Sequence, residues 1–193
     1  MKIWSLEQLD EVVAALRNGA IVAYPTEAVF GLGCDPKNSD AVSKLFALKQ
    51  RIPDKGFLLI GACEEHFSEF VDWTRLSRSQ QLSVRSTWPG PHTWIMPSQD
   101  SLPKNIVGAH SGVAVRVTAH ESAANLCRKF GSALISTSAN LNGQKAARSL
   151  SNVRQQFENS ALYGVLDAPL GGSVEPSEIR EATSNVLVRS NSL

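Results

Sequence analysis

Apolar and polar positions in the first fifty residues repeat with two different periods, and each period predicts one type of element. Ser5-Leu6-Glu7-Gln8 has the sequence of a capping box, apolar residues follow it at helical spacing, and Gly19 provides a stop, which predicts an amphipathic helix. The continuous apolar run from Ala20 to Tyr24 predicts a buried strand that stops at Pro25, because proline cannot donate to a ladder. A second helix is predicted from near Ser39 to near Lys49. Its apolar side would consist of Ala41, Val42, Leu45, Phe46 and Leu48.

The rest of the chain continues to alternate between strand patterns and helix patterns. Short apolar or alternating runs predict strands at residues 57–60, 94–96, 113–117, 133–135, 161–166 and 185–189. Helices are predicted near residues 77–87, from the capping sequence Thr118-Ala119-His120-Glu121 to Phe130, and near residues 153–157. Alternating strands and helices indicate the α/β class, and the shorter strand connections favour a mixed parallel and antiparallel sheet in one domain of residues 1–193.

Polar residues follow several of these predicted elements directly. Thr26 and Glu27 come after the first predicted strand, and Ser136-Thr137-Ser138-Ala139-Asn140 follows the strand at 133–135 as a predicted loop. If this loop is extended, Ser136, Ser138 and Asn140 share one face. Small ligands of α/β proteins usually lie beyond strand ends, so these positions are candidates for a binding site.

Lys49, Arg51 and Lys55 form a local basic cluster where the second helix is predicted to end. Together with the hydroxyl and amide groups of residues 136–140, these cations would make an anion cage of the kind that holds phosphate. Each pattern alone also has an ordinary structural explanation. Basic residues at a helix end complement the helix dipole, and Ser and Asn form turns or caps.

Bulk properties exclude several classes of protein. The chain has 193 residues, 42% of them hydrophobic and 19% charged, which is typical of a globular domain with a substantial core. No apolar run reaches the ~20 residues of a membrane span, and residues 1–5 lack a signal-peptide core, so we expect a cytosolic protein and no membrane partner. The net charge of +1 gives no indication of a dedicated nucleic-acid binder.

The cysteines and histidines do not predict a metal site or a disulfide framework. Cys34, Cys63 and Cys127 are odd in number and share no CxxC spacing, and the histidines show no HExxH spacing. We therefore expect reduced thiols and no metal held by the protein itself. The sequence also lacks a GxxxxGK[ST] loop, and Gly31-Leu32-Gly33 lacks the third glycine of a dinucleotide fingerprint. Side chains would have to hold any phosphate.

Six segments, taken in their order and spacing, resemble the YrdC-like family over nearly the whole chain, from about Ser5 to Arg189. The segments are Tyr24-Pro25-Thr26-Glu27, Lys49-Gln50-Arg51, Trp88-Pro89-Gly90-Pro91-His92-Thr93, Val113-Ala114-Val115-Arg116-Val117, Ser136-Thr137-Ser138-Ala139-Asn140 and Pro176-Ser177-Glu178-Ile179-Arg180. The resemblance implies a twisted mixed sheet with a large open substrate groove. It also implies the activity of the family's bacterial single-domain members, which make L-threonylcarbamoyladenylate and pyrophosphate from L-threonine, bicarbonate or CO2, and ATP.

The resemblance also assigns residues to roles. It implies that Lys49 and Arg51 are catalytic and bind phosphate, and that ATP binds as a substrate accompanied by Mg²⁺. Further nucleotide contacts would come from Lys55, Ser138, Asn140, Ser177 and Arg189. Threonine would be bound by Thr26, Arg116 and Ser136. The adenylate implies partner proteins that install threonylcarbamoyl on tRNA.

Some positions depart from the family pattern or stay open. Ile52 stands where the family often has proline, which makes the loop path at Lys55 uncertain, and Asn142 replaces a usual serine. His92 is a candidate functional group because histidine side chains can change charge at physiological pH, but an ordinary surface or packing role is the more common one. Glu27 is a candidate base, with a cap or an ion pair as equal alternatives.

Two other functions are compatible with the same fold. A non-catalytic RNA-binding module would show strong salt dependence, and the near-neutral charge and the missing aromatic and basic stripe argue against it as the only role. A carbamoyl-transfer domain is known as a part of longer proteins, and this chain lacks room for their other modules. Because fold alone does not determine function, the side chains at the site have to separate these alternatives.

Overall fold

The computed structural model describes residues 1–109, 112–173 and 177–190. Its described strands form one ten-stranded sheet, flanked by helices, in the order β1-β8-β2-β3-β7-β4-β6-β5-β9-β10. The strands are β1 Lys2–Trp4, β2 Ile21–Pro25, β3 Phe30–Gly33, β4 Leu58–Gly61, β5 His92–Met96, β6 Val113–Val117, β7 Leu134–Ser138, β8 Leu162–Leu166, β9 Glu178–Glu181 and β10 Leu187–Arg189. The helices are α1 Leu9–Arg17, α2 Ser39–Lys49, α3 Arg78–Arg85, α4 Lys104–Val107, α5 Glu121–Phe130 and α6 Leu150–Phe157.

The sheet is mixed, as the sequence predicts. β8 runs parallel to both β1 and β2, β4 runs parallel to β6, and β5 runs parallel to β9. The pairs β2/β3, β3/β7, β4/β7, β5/β6 and β9/β10 are antiparallel. Consecutive antiparallel strands need only short connections, whereas the parallel pairs are joined through helices or long loops.

The two faces of the sheet are covered by different helices. Residues of α2 and α6, among them Leu45 and Phe157, pack with strand residues such as Val115 on one face. Residues of α1 and α5, among them Leu16 and Leu126, cover part of the other face. This second face, which carries the candidate site, is called the site face below. Leu58 and Ala114 on it remain partly exposed.

Strand alternation decides which side chains reach the site face. The valines of β6 belong to the buried cluster of the opposite face, so Ala114 and Arg116 point to the site face, as predicted. The same alternation puts Leu134, Ser136 and Ser138 of β7 on the site face, because Ile135 belongs to the opposite cluster. Arg116 pairs in register with Ile60 of β4, and Ser136 pairs with Leu58 of the same strand.

Most predicted helices lie where the periodicity indicates, and α2 begins and ends at the predicted residues. The cap predicted at Thr118 is wrong: α5 begins at Glu121, and the Nδ1 atom of His120 accepts the hydrogen bond from the Ala123 amide at 3.3 Å. The strand predicted to end at Ser136 continues to Ser138, so these serines lie on a strand rather than on a loop. The pattern gave no indication of β1, β3, β9 or α4, which are only three or four residues long.

Candidate functional site

Lys49 is the most enclosed of the predicted phosphate-binding cations. It is the last residue of α2, is 7% exposed, and its ammonium donates to Ser138 O at 2.7 Å, Asn140 O at 2.6 Å and Asn140 Oδ1 at 2.8 Å. Burial, and then the neighbouring charge of Arg51, lower the pKa of Lys49 to about 8. The lysine therefore holds the segment after β7, and the three N–H donors of an ammonium all have acceptors here.

Arg51 lies close to Lys49 because the intervening Gln50 ends α2 in the left-handed conformation, with φ of 46°. Its Nε donates to Gly56 O at 3.0 Å and one Nη donates to Lys55 O at 2.9 Å, while the guanidinium stacks on Phe57 with 5.3 Å between guanidinium carbon and ring centroid. Arg51 thus fixes the turn that carries Lys55, whose side chain is exposed. The structure brings Lys49 and Arg51 together, whereas Lys55 contributes its backbone to this arrangement.

Thr26 and Ser136 meet across Gly31 on the site face. A Cβ atom added to Gly31 would lie 3.1 Å from Ser136 Oγ and 3.3 Å from Thr26 Cγ2. The Thr26 hydroxyl donates to Val29 O at 2.6 Å, so its oxygen lone pairs are left to accept. The Ser136 hydroxyl lies near the buried Tyr24 hydroxyl, which donates to Ile135 O at 3.0 Å.

Arg116, the third predicted threonine-binding residue, forms a buried ion pair with Glu27. The distance from Arg116 Nη2 to Glu27 Oε2 is 3.2 Å. The other oxygen of Glu27 accepts from Thr118 Oγ1 at 2.6 Å and from the Ala119 amide at 3.2 Å. Burial acts to raise the pKa of Glu27, but the charge of Arg116 and the hydrogen bond from Thr118 outweigh it and leave the pKa below its usual value. Glu27 is therefore an anion at neutral pH and a weak base.

The ion pair also joins two parts of the chain that are far apart in the sheet order. Glu27 lies in the connection between β2 and β3, and β6 is three strand positions away from β3 in the sheet order. In a flat sheet that separation is about 14 Å. Glu27 nevertheless bonds to Arg116 and Thr118, so the connection after β2 and its side chains reach across the end of the sheet to the end of β6.

The chain after β8 passes over this face. The amide of Gly171 donates to Thr26 O at 3.1 Å, and the amide of Ser173 donates to Glu27 O at 2.9 Å. His120 fixes the same segment: because its Nδ1 accepts a backbone amide, its Nε2 carries the proton and donates to Pro169 O at 3.0 Å. Residues 169–173 therefore lie directly on the backbone of the predicted threonine-binding segment.

Ser177 and Arg189, predicted to contact the nucleotide, form a separate group near Arg116. Ser177 is 7% exposed, and its hydroxyl lies 3.0 Å from the hydroxyl of Thr93, which is 1% exposed. Arg189 donates to Ser177 O at 2.8 Å. Desolvation, and then the charge of Arg116, lower the pKa of Arg189, so the two guanidinium groups lie near each other. Pro176, the first residue of the last quoted motif, lies outside the described residues.

The predicted residues thus form three neighbouring groups rather than one compact pocket. The first group is Lys49, Arg51, Ser138 and Asn140, the second is Thr26, Ser136 and Arg116, and the third is Ser177 with Arg189. Sequence reasoning missed Thr93, which contacts Ser177, Thr118, which donates to Glu27, and His120, which holds the segment after β8. The available signal for Thr93 was a polar residue directly before the apolar run Trp94-Ile95-Met96, which is predicted to be a strand.

Two surface recesses lie outside these groups. One of about 210 Å³ is bounded by residues such as Lys37, Glu69 and Asn105, and one of about 460 Å³ by residues such as Arg148, Asp167 and Leu170. The open substrate groove therefore remains a prediction. In the described ranges, no group of three or more His, Cys, Asp or Glu side chains is arranged to hold a metal ion. Nor does the described part of the chain contain a helix with the length and apolar character needed to cross a membrane.

Comparison with known proteins identifies the family. A family model of Sua5, YciO and YrdC proteins, described as telomere recombination, matches residues 14–190. A threonylcarbamoyl-AMP synthase of Methylococcus capsulatus is 51% identical over 175 residues, which are 91% of this chain and 92% of that protein.

Solved structures agree on the fold. The crystal structure of P. abyssi Sua5 complexed with L-threonine superposes with a TM-score of 0.89 at 26% identity and covers 98% of this chain, which spans only 57% of the Sua5 chain. The E. coli YciO structure, at 18% identity, has a TM-score of 0.84 and covers 98% of this chain and 96% of its own. From the family model and the identity to its relatives, the chain belongs to the Sua5/YciO/YrdC family.

Proposed function

We propose that this protein is a threonylcarbamoyl-AMP synthase, which forms L-threonylcarbamoyladenylate and pyrophosphate from L-threonine, bicarbonate or CO2, and ATP. The observation that carries the proposal is the joint position of Thr26, Ser136 and Arg116 on one face of the sheet, beside the cationic group of Lys49 and Arg51. The 51% identity to a synthase of that name over 91% of the chain supports the same reaction.

The amino acid and the nucleotide need different chemistry, and the groups at the site differ in the same way. Arg116 offers a forked donor suited to a carboxylate, and the lone pairs of Thr26 Oγ1 are positioned to accept from a substrate hydroxyl. Lys49 and Arg51 supply positive charge for phosphates. Ser138 and Asn140 add polar groups beside them, and Ser177 and Arg189 extend the polar surface past Arg116.

The reaction itself requires positioning and charge neutralisation more than covalent catalysis. In the proposed sequence, the threonine amine combines with CO2, and a carbamate oxygen attacks the α-phosphorus as pyrophosphate leaves. Lys49 and Arg51 would stabilise the charge that develops on the phosphates. To bind a phosphate oxygen, Lys49 has to release one of its three acceptors, because each of its N–H groups is already donated. The phosphate would replace a carbonyl as its partner.

The proposal extends to the remaining participants. ATP would bring Mg²⁺ as part of the substrate, and the adenylate would pass to partner proteins that modify tRNA, with RNA binding as an accompanying property. These assignments rest on the chemistry of the reaction. Mg²⁺ removal and substitution of bicarbonate by a CO2-free buffer are the direct tests of the two small-molecule requirements.

The decisive experiment follows pyrophosphate release and the adenylate, by mass spectrometry, with ATP, bicarbonate and Mg²⁺ in the presence and absence of L-threonine. Release that depends on threonine and falls by about 10²-fold or more in Lys49→Ala supports the proposal, since removal of a transition-state donor has this size of effect. Lys44→Ala is the matched control, because Lys44 lies on the same helix and is exposed. Folded protein that binds ATP and makes no adenylate would exclude the function.

A further inference from the structure

Two buried polar atoms at the site lack hydrogen-bond partners within the described residues. They are Oε2 of Glu27 and Nε of Arg116, one an acceptor and the other a donor. The side chains are 15% and 8% exposed, respectively. A buried polar group without a hydrogen bond costs free energy, so folded proteins rarely contain one without a functional reason. Here a donor and an acceptor of opposite charge, on two side chains in contact, both lack a hydrogen bond.

The rest of each side chain is firmly held. Glu27 Oε1 accepts from Thr118 Oγ1 and from the Ala119 amide, so this oxygen is already occupied. Arg116 is anchored on β6, between the paired strands β4 and β5. The 3.2 Å approach of Arg116 Nη2 to Glu27 Oε2 provides attraction between the charges, although neither unpaired atom gains a hydrogen bond from it. The unpaired oxygen therefore belongs to a carboxylate that is already oriented, and the unpaired nitrogen to a side chain that extends from a central strand.

An α-amino acid has the complementary arrangement of charges. Its ammonium group offers N–H donors, its carboxylate offers acceptors, and a single carbon atom separates the two groups. Glu27 Oε2 and Arg116 Nε are the matching acceptor and donor. Thr26 and Ser136, across Gly31, lie beyond Glu27 in the direction of the preceding strand and are available to the side chain of the ligand.

The family resemblance already assigns Arg116 to the carboxylate of the amino-acid substrate. We propose that Glu27 Oε2 accepts from the amine of the same substrate, so that the pair recognises a zwitterion, with Arg116 Nε as the donor to the carboxylate. This inference rests on the proposed function and assigns to Glu27 a binding role in place of the role of a base. The ammonium group releases one proton to solvent before the amine attacks CO2 and a second as the carbamate forms. The carbamate nitrogen keeps one N–H, so the bond to Glu27 persists and orients the carbamate. In the absence of substrate, the glutamate neutralises the buried arginine.

The segment that contains Gly171 packs on the backbone of Glu27. Gly171 packs against Glu27 so closely that a Cβ atom there would lie 2.9 Å from Glu27 Cα. Both unpaired atoms are shielded from solvent in this arrangement. Substrate binding therefore requires a rearrangement beside the pair, and the segment packed on the Glu27 backbone, which the side chains of His120 and Arg148 also hold, is the part that we expect to move.

The test compares ligands as well as variants. Isothermal titration calorimetry would measure L-threonine and 3-hydroxybutanoate, which keeps the carboxylate and the hydroxyl and lacks the amine, on the wild-type protein, Glu27→Gln and the exposed control Glu7→Gln. We expect the wild type and Glu7→Gln to prefer threonine by about tenfold or more, the effect of one hydrogen bond to a charged group. In Glu27→Gln this preference should fall to within about threefold.

The possible outcomes distinguish this inference from the proposed function on which it rests. If the wild type binds threonine and 3-hydroxybutanoate equally well, the inference about Glu27 is wrong and the proposed function is unaffected. This comparison uses the wild type only, so it does not depend on whether a variant folds. Full preference for threonine in folded Glu27→Gln would also overturn it. Failure of the wild type to bind threonine at all would overturn the proposed function itself.

Discussion

The low pKa of Lys49 makes nucleotide binding sensitive to pH in a way that can be worked out from the structure. With a pKa of about 8, the side chain is about nine-tenths cationic at pH 7 and about one-tenth cationic at pH 9. If the cation is needed to hold phosphate, the affinity for ATP should fall by about tenfold between these two pH values, whereas an ordinary lysine would lose little.

The contribution of Lys49 to the free energy of unfolding should increase with pH above about pH 8, whereas ATP affinity should decrease. Because the folded-state pKa of about 8 lies below the value of 10.5 of a free lysine, the unfolded chain holds more protons between these values. The contribution of Lys49 to stability therefore rises as the pH rises through this window, while nucleotide binding weakens. Deprotonation of Lys49 would thus not weaken ATP binding by destabilising the fold.

The assay is the dissociation constant of ATP, without threonine, at half-unit steps from pH 7 to pH 9. Lys49→Arg is the matched variant, since a guanidinium keeps its charge throughout this range although it fits the three acceptors less well. Its affinity should be lower at pH 7 and nearly constant with pH. An equally steep decline in Lys49→Arg, or a flat profile in the wild type, would refute the reasoning.

Three further predictions concern neighbouring residues. Gly31→Ala should raise the KM for threonine with little change in ATP binding, because the new methyl group would lie 3.1 Å from Ser136 Oγ; an unchanged KM would contradict this. Thr93→Val should weaken ATP binding by a few-fold, since Ser177 loses a buried hydroxyl partner, and titration with ATP measures the effect. Urea unfolding should show that Glu27→Gln lowers stability by about 3 kcal/mol at neutral pH, the cost of breaking a buried pair. Because the folded-state pKa of Glu27 is lowered, the wild type should lose this advantage as the pH falls below 4.5, and a constant difference would argue against the ion pair.

The elements that the sequence predicts well are those whose own pattern decides their structure. α2 has an apolar stripe and ends at Lys49 as predicted, and the valines of β6 alternate against Arg116 as predicted. The strand before Pro25 brings Thr26 and Glu27 to the end of the sheet for the same local reason. Such features can be predicted because apolar residues repeat every two residues in a strand and every 3.6 residues in a helix.

The missed features depend on residues far away in the chain. β9 is polar and forms because β5 accepts it as a neighbour, a pairing that no local period reveals. The cap of α5 is a histidine, which is outside the usual set of capping residues, and Thr118 is instead used by Glu27. The burial of Lys49 likewise depends on acceptors about ninety residues later, because a charged group stays buried only where such partners exist.

The connection between β8 and β9 links the site to the far edge of the sheet. It bonds to Thr26 and Glu27 at one end, and at the other end Ser177 joins Thr93 and Arg189 at the start of the hairpin formed by β9 and β10. Displacement of this segment by a substrate should therefore change how often the hairpin opens, and amide hydrogen exchange at the C-terminal edge would report occupancy of a site several strands away. Proteolytic removal of β10 would likewise separate Arg189 from Ser177, and we expect it to abolish activity although Lys49 and Arg116 stay in place.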